Sequence, residues 1–412
     1  MGRAPSWREE NTENGGLFLT DNYNRTIRAC FVGYIVQAIV NNFVPLLFIT
    51  FQKNYGIPMH RITLLITINF GIQLFVDLLS AKLIDKIGYR TSAVIAHAFS
   101  AVGLVLLTVL PDACGDAYVG ILLSVALYAI GGGLLEVLVS PIVEACPTDN
   151  KGKAMSLLHS FYCWGHVGVV LLSTLFFAVF GTKRWMILAL LWAVLPVVNG
   201  ILFTRVPLAA PEGAGETGMS FRQLMGKKVF WMLMLMMLCA GASEQAVSQW
   251  ASAFAEKGLG VTKTVGDLAG PMAFAALMGL SRLFYGKYGD RIDLNRFMTG
   301  SCLVCVLSYL CIALVPGAFF GLIGCAVCGL AVGIMWPGTF SEAAACLRGG
   351  GTAMYAFLAL AGDLGCSAGP TLVGTVSSMA KGDLRIGISA AVVFPVLLVL
   401  GVLYMKKRGG AR

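Results

Sequence analysis

The sequence predicts an all-α membrane protein, with twelve transmembrane helices in two pseudo-symmetric six-helix halves. Three observations predict it. Apolar runs of about 20 residues, the length that crosses a hydrocarbon core of roughly 30 Å, recur along the whole chain. A single long polar interruption divides them six and six, and a charged motif that follows the second run returns after the eighth. Composition excludes a soluble globule, because 57% of the residues are hydrophobic and only 12% are charged, too few to shield the apolar surface from water.

Lipid offers backbone amides no partners, so each run must be helical, and the alternating pattern of a membrane barrel is absent. The first run, near 26-52, follows some 25 polar residues without a cleavable apolar leader, so no removable signal peptide is expected. It carries Tyr34, Gln37 and Asn41, with Pro45 placed to bend it. The second, 60-84, sets Asn69, Gln73 and Asp77 on one face at four-residue spacing. The third, 91-110, has only His97 as an ionisable residue. The fourth, 118-146, carries the richest stripe, Tyr128, Gly132, Glu136, Ser140 and Glu144, and Pro141. The fifth, 154-180, offers His159, Tyr162, Cys163, Trp164 and His166; the sixth, 185-204, has no ionisable residue in its interior. Residues 205-228, rich in Gly, Pro and Glu, read as a linker between halves 1-204 and 229-412.

In the second half, the seventh run, 229-256, pairs Glu244 with Ser248 and Gln245 with Gln249, and ends in Trp250. The eighth, 265-289, contains Arg282. The tenth, 317-341, holds Trp336-Pro337, and the eleventh, 350-378, holds Tyr355, Asp363, Ser367 and Pro370. The ninth, 296-315, and the twelfth, 385-405, are free of interior charge.

Charge gives the expected orientation. With both termini cytoplasmic, 21 of the 30 Lys and Arg residues lie on inner segments and 8 on outer loops, as the positive-inside rule requires. The net charge of +9 is therefore a topology signal and not a nucleic-acid footprint. Most of the twelve cysteines sit inside spans without metal-site spacing and are expected to pack as small apolar residues.

The halves echo each other. Ala81-Lys82-Leu83-Ile84-Asp85-Lys86-Ile87-Gly88-Tyr89-Arg90 follows the second span, and Gly286-Lys287-Tyr288-Gly289-Asp290-Arg291 follows the eighth. A weaker echo sets Gly152-Lys153-Ala154-Met155 against Gly351-Thr352-Ala353-Met354. Repeated halves are a common basis of alternating access. On these residues the chain resembles the major facilitator superfamily, whose loop between the second and third helices carries Gly-x-x-x-Asp-Arg/Lys-x-Gly-Arg/Lys. Asp85, Lys86, Gly88 and Arg90 fit that signature, whereas Ala81 and Tyr89 depart from it. Asn41-Asn42, the run Gly131 to Glu136, Ser156 to Phe161, Trp336-Pro337 and Gly365 to Pro370 are similar to the fucose permease group of sugar:proton symporters. That group has an acidic residue shortly after its asparagine pair, where this chain has Phe43-Val44-Pro45.

A charge at mid-bilayer costs roughly 3 kcal/mol, so those tolerated face a cavity or a partner. A carboxyl removed from water favours its protonated form, which suits a proton carrier. Glu136 is the leading proton-coupling residue, and the resemblance implies the same; a carboxyl that only holds helices together is the alternative. Asp77 and Glu244 rank second. Asp85, Arg90, Arg282, Asp290 and Arg291 are expected to gate the inner side, with Asp77 and Arg282 at equivalent depths and able to pair. Arg282 binding an anionic substrate is the other reading. The expected substrate cavity holds Gln37, Asn41, Glu136, His159, Gln245 and Gln249, whose amides suit hydroxyl groups, with Tyr162, Trp250 and Trp336 as aromatic wall.

The function expected is proton-coupled uptake of a small polar solute, a sugar or polyol, across the plasma (inner) membrane by a monomer. Proton-driven efflux of an amphipathic compound or organic anion, and a non-transporting membrane sensor, are the alternatives. No P-loop, Cys-x-x-Cys pair or nucleophile elbow points to an enzyme or a cofactor. No metal site is expected, because His159 and His166 share a face without further ligands.

Overall fold

The computed structural model describes residues 10–147, 151–208, 219, 221–347 and 350–409. Twelve helices in it are long and apolar enough to cross a membrane. They are α1 (Tyr23–Tyr55), α2 (Met59–Ser80), α3 (Tyr89–Leu106), α4 (Ala117–Ala145), α5 (Leu157–Phe180), α6 (Thr182–Phe203), α7 (Lys228–Gly258), α8 (Lys263–Tyr288), α9 (Leu294–Leu314), α10 (Ala318–Cys346), α11 (Met354–Met379) and α12 (Leu384–Lys407). The expected spans agree to within a few residues, the largest difference being α10, which runs on to Cys346. No strand occurs among the described residues. Part of the predicted linker, 209–218 and 220, lies outside them.

Local chemistry fixes several boundaries. Asp116, Thr262, Asp293 and Asp383 each accept a hydrogen bond from a backbone amide in the first turn of α4, α8, α9 and α12, a cap that stabilises a helix start by about 1 kcal/mol. Gly88, at φ 81°, ends the helix that continues from α2 and turns the chain into α3. Pro45 sits in a tight turn, Val44–Leu47, that breaks α1, while α7 breaks at Gln249 and Trp250. The first helix of each half is thus interrupted towards the same end.

Packing repeats with a period of six helices. Helices α1 and α4, α1 and α5, α2 and α4, α3 and α4, and α3 and α6 pack together, and the pairs numbered six higher do the same. Across the halves the main contacts are α2 with α11 and α5 with α8, which the pseudo-symmetry exchanges. Burial of the most apolar stretch is highest for α1, at 89%, and stays above one half for α4, α7 and α10, so the first helix of each triplet is innermost.

Twelve antiparallel spans bring the two ends of the chain to one face, called the termini face below. Near the opposite face the halves are bonded. Lys53 Nζ meets Glu256 at 2.6 Å, Lys263 Nζ donates to Leu46 O at 2.6 Å, and the Thr67 and Thr371 hydroxyls lie 2.6 Å apart. Thr174 donates to Asp267 at 3.4 Å, and Trp250 packs on Phe48 with ring centroids 5.4 Å apart. Gly374 admits Thr63 and the Trp250 ring so closely that a Cβ there would collide with both. These contacts seal the opposite face.

Candidate functional site

A cavity of about 120 Å³ lies between the halves. Its wall is drawn from α1 (Tyr34, Gln37, Asn41), α2 (Phe70, Gln73), α4 (Glu136), α5 (His159, Tyr162), α7 (Glu244, Gln245), α8 (Arg282), α10 (Trp336) and α11 (Asp363, Cys366). Helices α3, α6, α9 and α12 contribute nothing to it, which accounts for their lack of interior charge. His159, near the termini-face end of α5, is exposed and lines the cavity. With the other face sealed, the cavity opens towards the termini.

Two hydrogen-bond systems organise the wall. In the first half, Gln37 Nε2 donates to Glu136 Oε2 at 2.6 Å, tying α1 to α4. Asn41 Oδ1 accepts from Gln73 at 2.8 Å and from Asn69 at 3.2 Å, and the Tyr34 and Ser140 hydroxyls are 3.0 Å apart. In the second half, Arg282 donates to Glu244 Oε2 at 3.2 Å, Gln245 donates to Glu244 Oε1 at 3.2 Å, and Gln249 donates to Gln245 at 3.1 Å. The Arg282 and Glu244 side chains are 17% and 8% exposed, so removal of either partner strands a buried charge.

The structure gathers most of the expected residues. Gln37, Asn41, Glu136, His159, Tyr162, Gln245 and Trp336 all line the cavity, with Glu244 and Arg282 beside them. Trp336 closes against Gly362, where a Cβ would overlap its ring.

Several expectations are corrected. Trp250, expected on the substrate wall, is fully buried in the opposite-face seal, its Nε1 donating to Pro370 O at 2.9 Å. Gln249 is 2% exposed and off the cavity wall, because its amide is used to bridge the halves through Asn41 O at 3.1 Å. Arg90, expected at a gate, donates to Phe203 O and Val206 O, both at 2.8 Å, and so caps the exit of α6 within its own half. Arg282 takes Glu244 as its partner, a helix away in its own half, and not Asp77. Arg291 is exposed in the turn Gly289–Arg291, and Glu144, on the same stripe as Glu136, is also exposed. The side chains of Asp85 and Asp290 lie outside the described residues.

Asp77 and Asp363 form the grouping that spacing along single helices could not reveal. Carboxylate oxygens of Asp77 (α2), Glu136 (α4) and Asp363 (α11) lie within 4.8 Å of one another, from both halves. Both Asp77 oxygens are buried without a hydrogen-bond donor. Asp363, 9% exposed, had been legible only as a charge in the interior of its span. Three carboxyl groups on the cavity wall, Glu136, Glu244 and Asp363, with Asp77 beside them, face one guanidinium, so protons or another cation must neutralise the excess in a low-dielectric interior.

Comparison with known proteins fits this architecture. The family model described as Major Facilitator Superfamily matches residues 29–370. A curated relative, the membrane protein MosC of Rhizobium meliloti, is 24% identical over 284 residues, which make up 68% of this chain and 66% of MosC. Among solved structures, the fucose:proton symporter FucP of E. coli superposes with a TM-score of 0.64 at 15% identity, covering 92% of this chain and 98% of FucP. A bacterial homologue of the human lysosomal transporter Spinster, in an inward-facing and unoccupied conformation, gives 0.72 at 13% identity, covering 94% and 97% of the two chains. FucP in its outward conformation gives 0.63 at 15% identity, covering 93% of this chain and 99% of that one. By the extent of the family match and by its fold, the chain is a multi-pass membrane transporter that belongs to the Major Facilitator Superfamily.

Proposed function

We propose that the chain takes up a small polar solute, a sugar or polyol, together with protons, by alternating access of halves 1-204 and 229-412 about the central cavity. The observation that carries the reading is the Gln37–Glu136 bond on the cavity wall, which couples a titratable carboxyl to the surface that meets the solute. Protonation of Glu136 converts an acceptor of the Gln37 amide into a donor, so the wall rearranges its hydrogen bonds when a proton arrives. The amides of Gln37, Asn41, Gln73 and Gln245 with the rings of Tyr162 and Trp336 supply the donors, acceptors and apolar faces that a polyol needs. The positive-inside charge pattern supports cytoplasmic termini in the plasma (inner) membrane, which makes the described conformation inward-facing. A monomer suffices for this mechanism, since each chain holds both halves.

Export of an organic anion has less support. Among the described residues the one guanidinium on the wall is already held by Glu244, and the surrounding carboxyl excess repels negative charge.

Purified protein screened by thermal shift against sugars, polyols, organic acids and amphipathic drugs supplies the solute, and proteoliposomes supply the coupling test. Uptake should follow an inward proton gradient. The Glu136→Gln variant should retain solute exchange but lose accumulation driven by the gradient. Gradient-driven accumulation by that variant with an unchanged pH dependence would remove Glu136 from the coupling role.

A further inference from the structure

We propose that Asp77, Glu136 and Asp363, with the Gln73 amide oxygen, form a binding site for a hard metal cation, sodium, that bridges the two halves. The ligand geometry comes first. The three carboxylates offer oxygens within 4.8 Å of one another, close enough for all three to reach one ion through bonds of about 2.4 Å. The donors are oxygens alone, which favours a hard cation over zinc or copper.

A second observation points to the same ligand. Gln73, only 2% exposed, lies one helical turn from Asp77 and lines the cavity with Glu136 and Asp363, yet its Oε1 has no donor. Its Nε2 is held by Asn41, which fixes the amide with the oxygen free. Both Asp77 oxygens are likewise acceptors without a donor, while the one buried unpartnered donor on the cavity wall among the described residues, Arg282 Nε, belongs to the guanidinium that Glu244 holds. A set of orphaned acceptors calls for a positive ligand. Three ionised carboxylates around one monovalent ion would leave two uncompensated negative charges, so at least one carboxyl binds as the acid, through its carbonyl oxygen. An occupant of this charge can leave in each transport cycle, whereas a divalent ion held by the same carboxylates binds more tightly as the ligand charge rises.

Asp77 and Glu136 come from one half and Asp363 from the other, so the site is complete only while α2 and α11 are apposed as in this structure. The ion therefore stabilises this state over one in which the halves part there.

The site includes Glu136 and so rests partly on the coupling reading, but ion binding is measured without solute or gradient, and each idea can fail alone. The full chain in nanodiscs is assayed for thermal stability in sodium chloride against choline chloride at equal ionic strength, and for saturable binding of radioactive sodium. Sodium should raise the melting temperature saturably, and Asp77→Asn and Asp363→Asn should each weaken its apparent affinity about tenfold or more. Glu144→Gln, a carboxyl outside the cluster, should respond as the parent does. Folding of each variant is checked by its melting temperature in choline. Equal stability in sodium and choline without saturable binding, sodium responses intact in both aspartate variants, or a response to calcium and not to sodium would each overturn the proposal.

Discussion

The close contact between α7 and α11 gives the sharpest stability prediction. Along α11, Gly365 and Gly369 face α7 so closely that a Cβ on Gly365 would lie 2.8 Å from the carbonyl carbon of Leu238 and 2.9 Å from the amide of Ala242. Ordinary contact begins near 3.4 Å and the carbonyl oxygen of Leu238 would lie closer still than its carbon, so Gly365→Ala must part the helices by more than about 0.6 Å. A gap of that size forfeits a quarter to a half of the dispersion attraction at each affected contact. Overpacking of this kind costs about 1–3 kcal/mol, offset by up to about 1 kcal/mol from the better helix propensity of alanine. The net expectation is a loss of about 1–2 kcal/mol.

The control is chemically identical. Gly168 in α5 has no atom near its vacant Cβ position, so Gly168→Ala should gain up to about 1 kcal/mol. The two substitutions should therefore differ in sign. A thiol-reactive fluorogenic dye reports the unfolding temperature, because most of the twelve cysteines are buried until the helices separate. Equal shifts for the two variants would refute the claim that α7 and α11 touch backbone to backbone. The contact matters for transport, since a half that moves as one body cannot let its inner helices slide.

Two further outcomes test the ends of the molecule. Lys263→Met should remove the bond to Leu46 O and leave Asp267, 1% exposed, without its cation, penalising the sealed state by about 3 kcal/mol; hydrogen exchange in Val44–Leu47 and Phe254–Gly258 should accelerate by roughly a hundredfold, and unchanged exchange would refute the role of Lys263 in the seal. Arg90→Gln should cost only about 1 kcal/mol in unfolding assays, because Arg90 is exposed and water takes up the freed carbonyls, and transport per folded molecule should hold steady; slowed transport with unchanged stability would return Arg90 to a gate.

Hydrophobic length made the twelve spans legible because a bilayer imposes one requirement on every helix, whatever its neighbours. Four-residue spacing likewise exposed the faces of Gln73 and Glu136, since a polar stripe on a single helix is a property of that helix alone. What stayed hidden depends on relative placement. Trp250 reads as an aromatic beside a polar stripe, and only the break of α7 at Gln249 and Trp250 turns it away from the cavity and onto Phe48. Arg90 sits in a loop motif, but its partner is a helix end more than a hundred residues away. Asp363 shared its helix face only with Ser367, and its meaning comes from two carboxyls on other helices. Arg282 offered Asp77 or a substrate anion as partners by depth, and the arrangement of helices within the second half brought Glu244 of α7 to it instead.

The seal and the carboxyl cluster divide the work of a coupled carrier between them. Around the seal the contacts include neutral ones, the Thr67–Thr371 pair, the Trp250–Phe48 packing and the Trp250 bond to Pro370 O, whose strength does not depend on an ion in the cavity. They set a fixed bias towards the conformation closed opposite the termini. At the centre, the apposition of Asp77, Glu136 and Asp363 is repulsive when all are charged and neutral only when protons or a cation are bound. A ligand shifts a conformational equilibrium by no more than its differential affinity for the two states. Carboxyls contributed by both halves to one point are a direct way to make that difference large, because parting the halves returns each carboxyl to a separate environment. Loading the cluster therefore adds to the fixed bias, and emptying it subtracts from the same balance, so occupancy of the centre and opening of the opposite face are linked through α2 and α11.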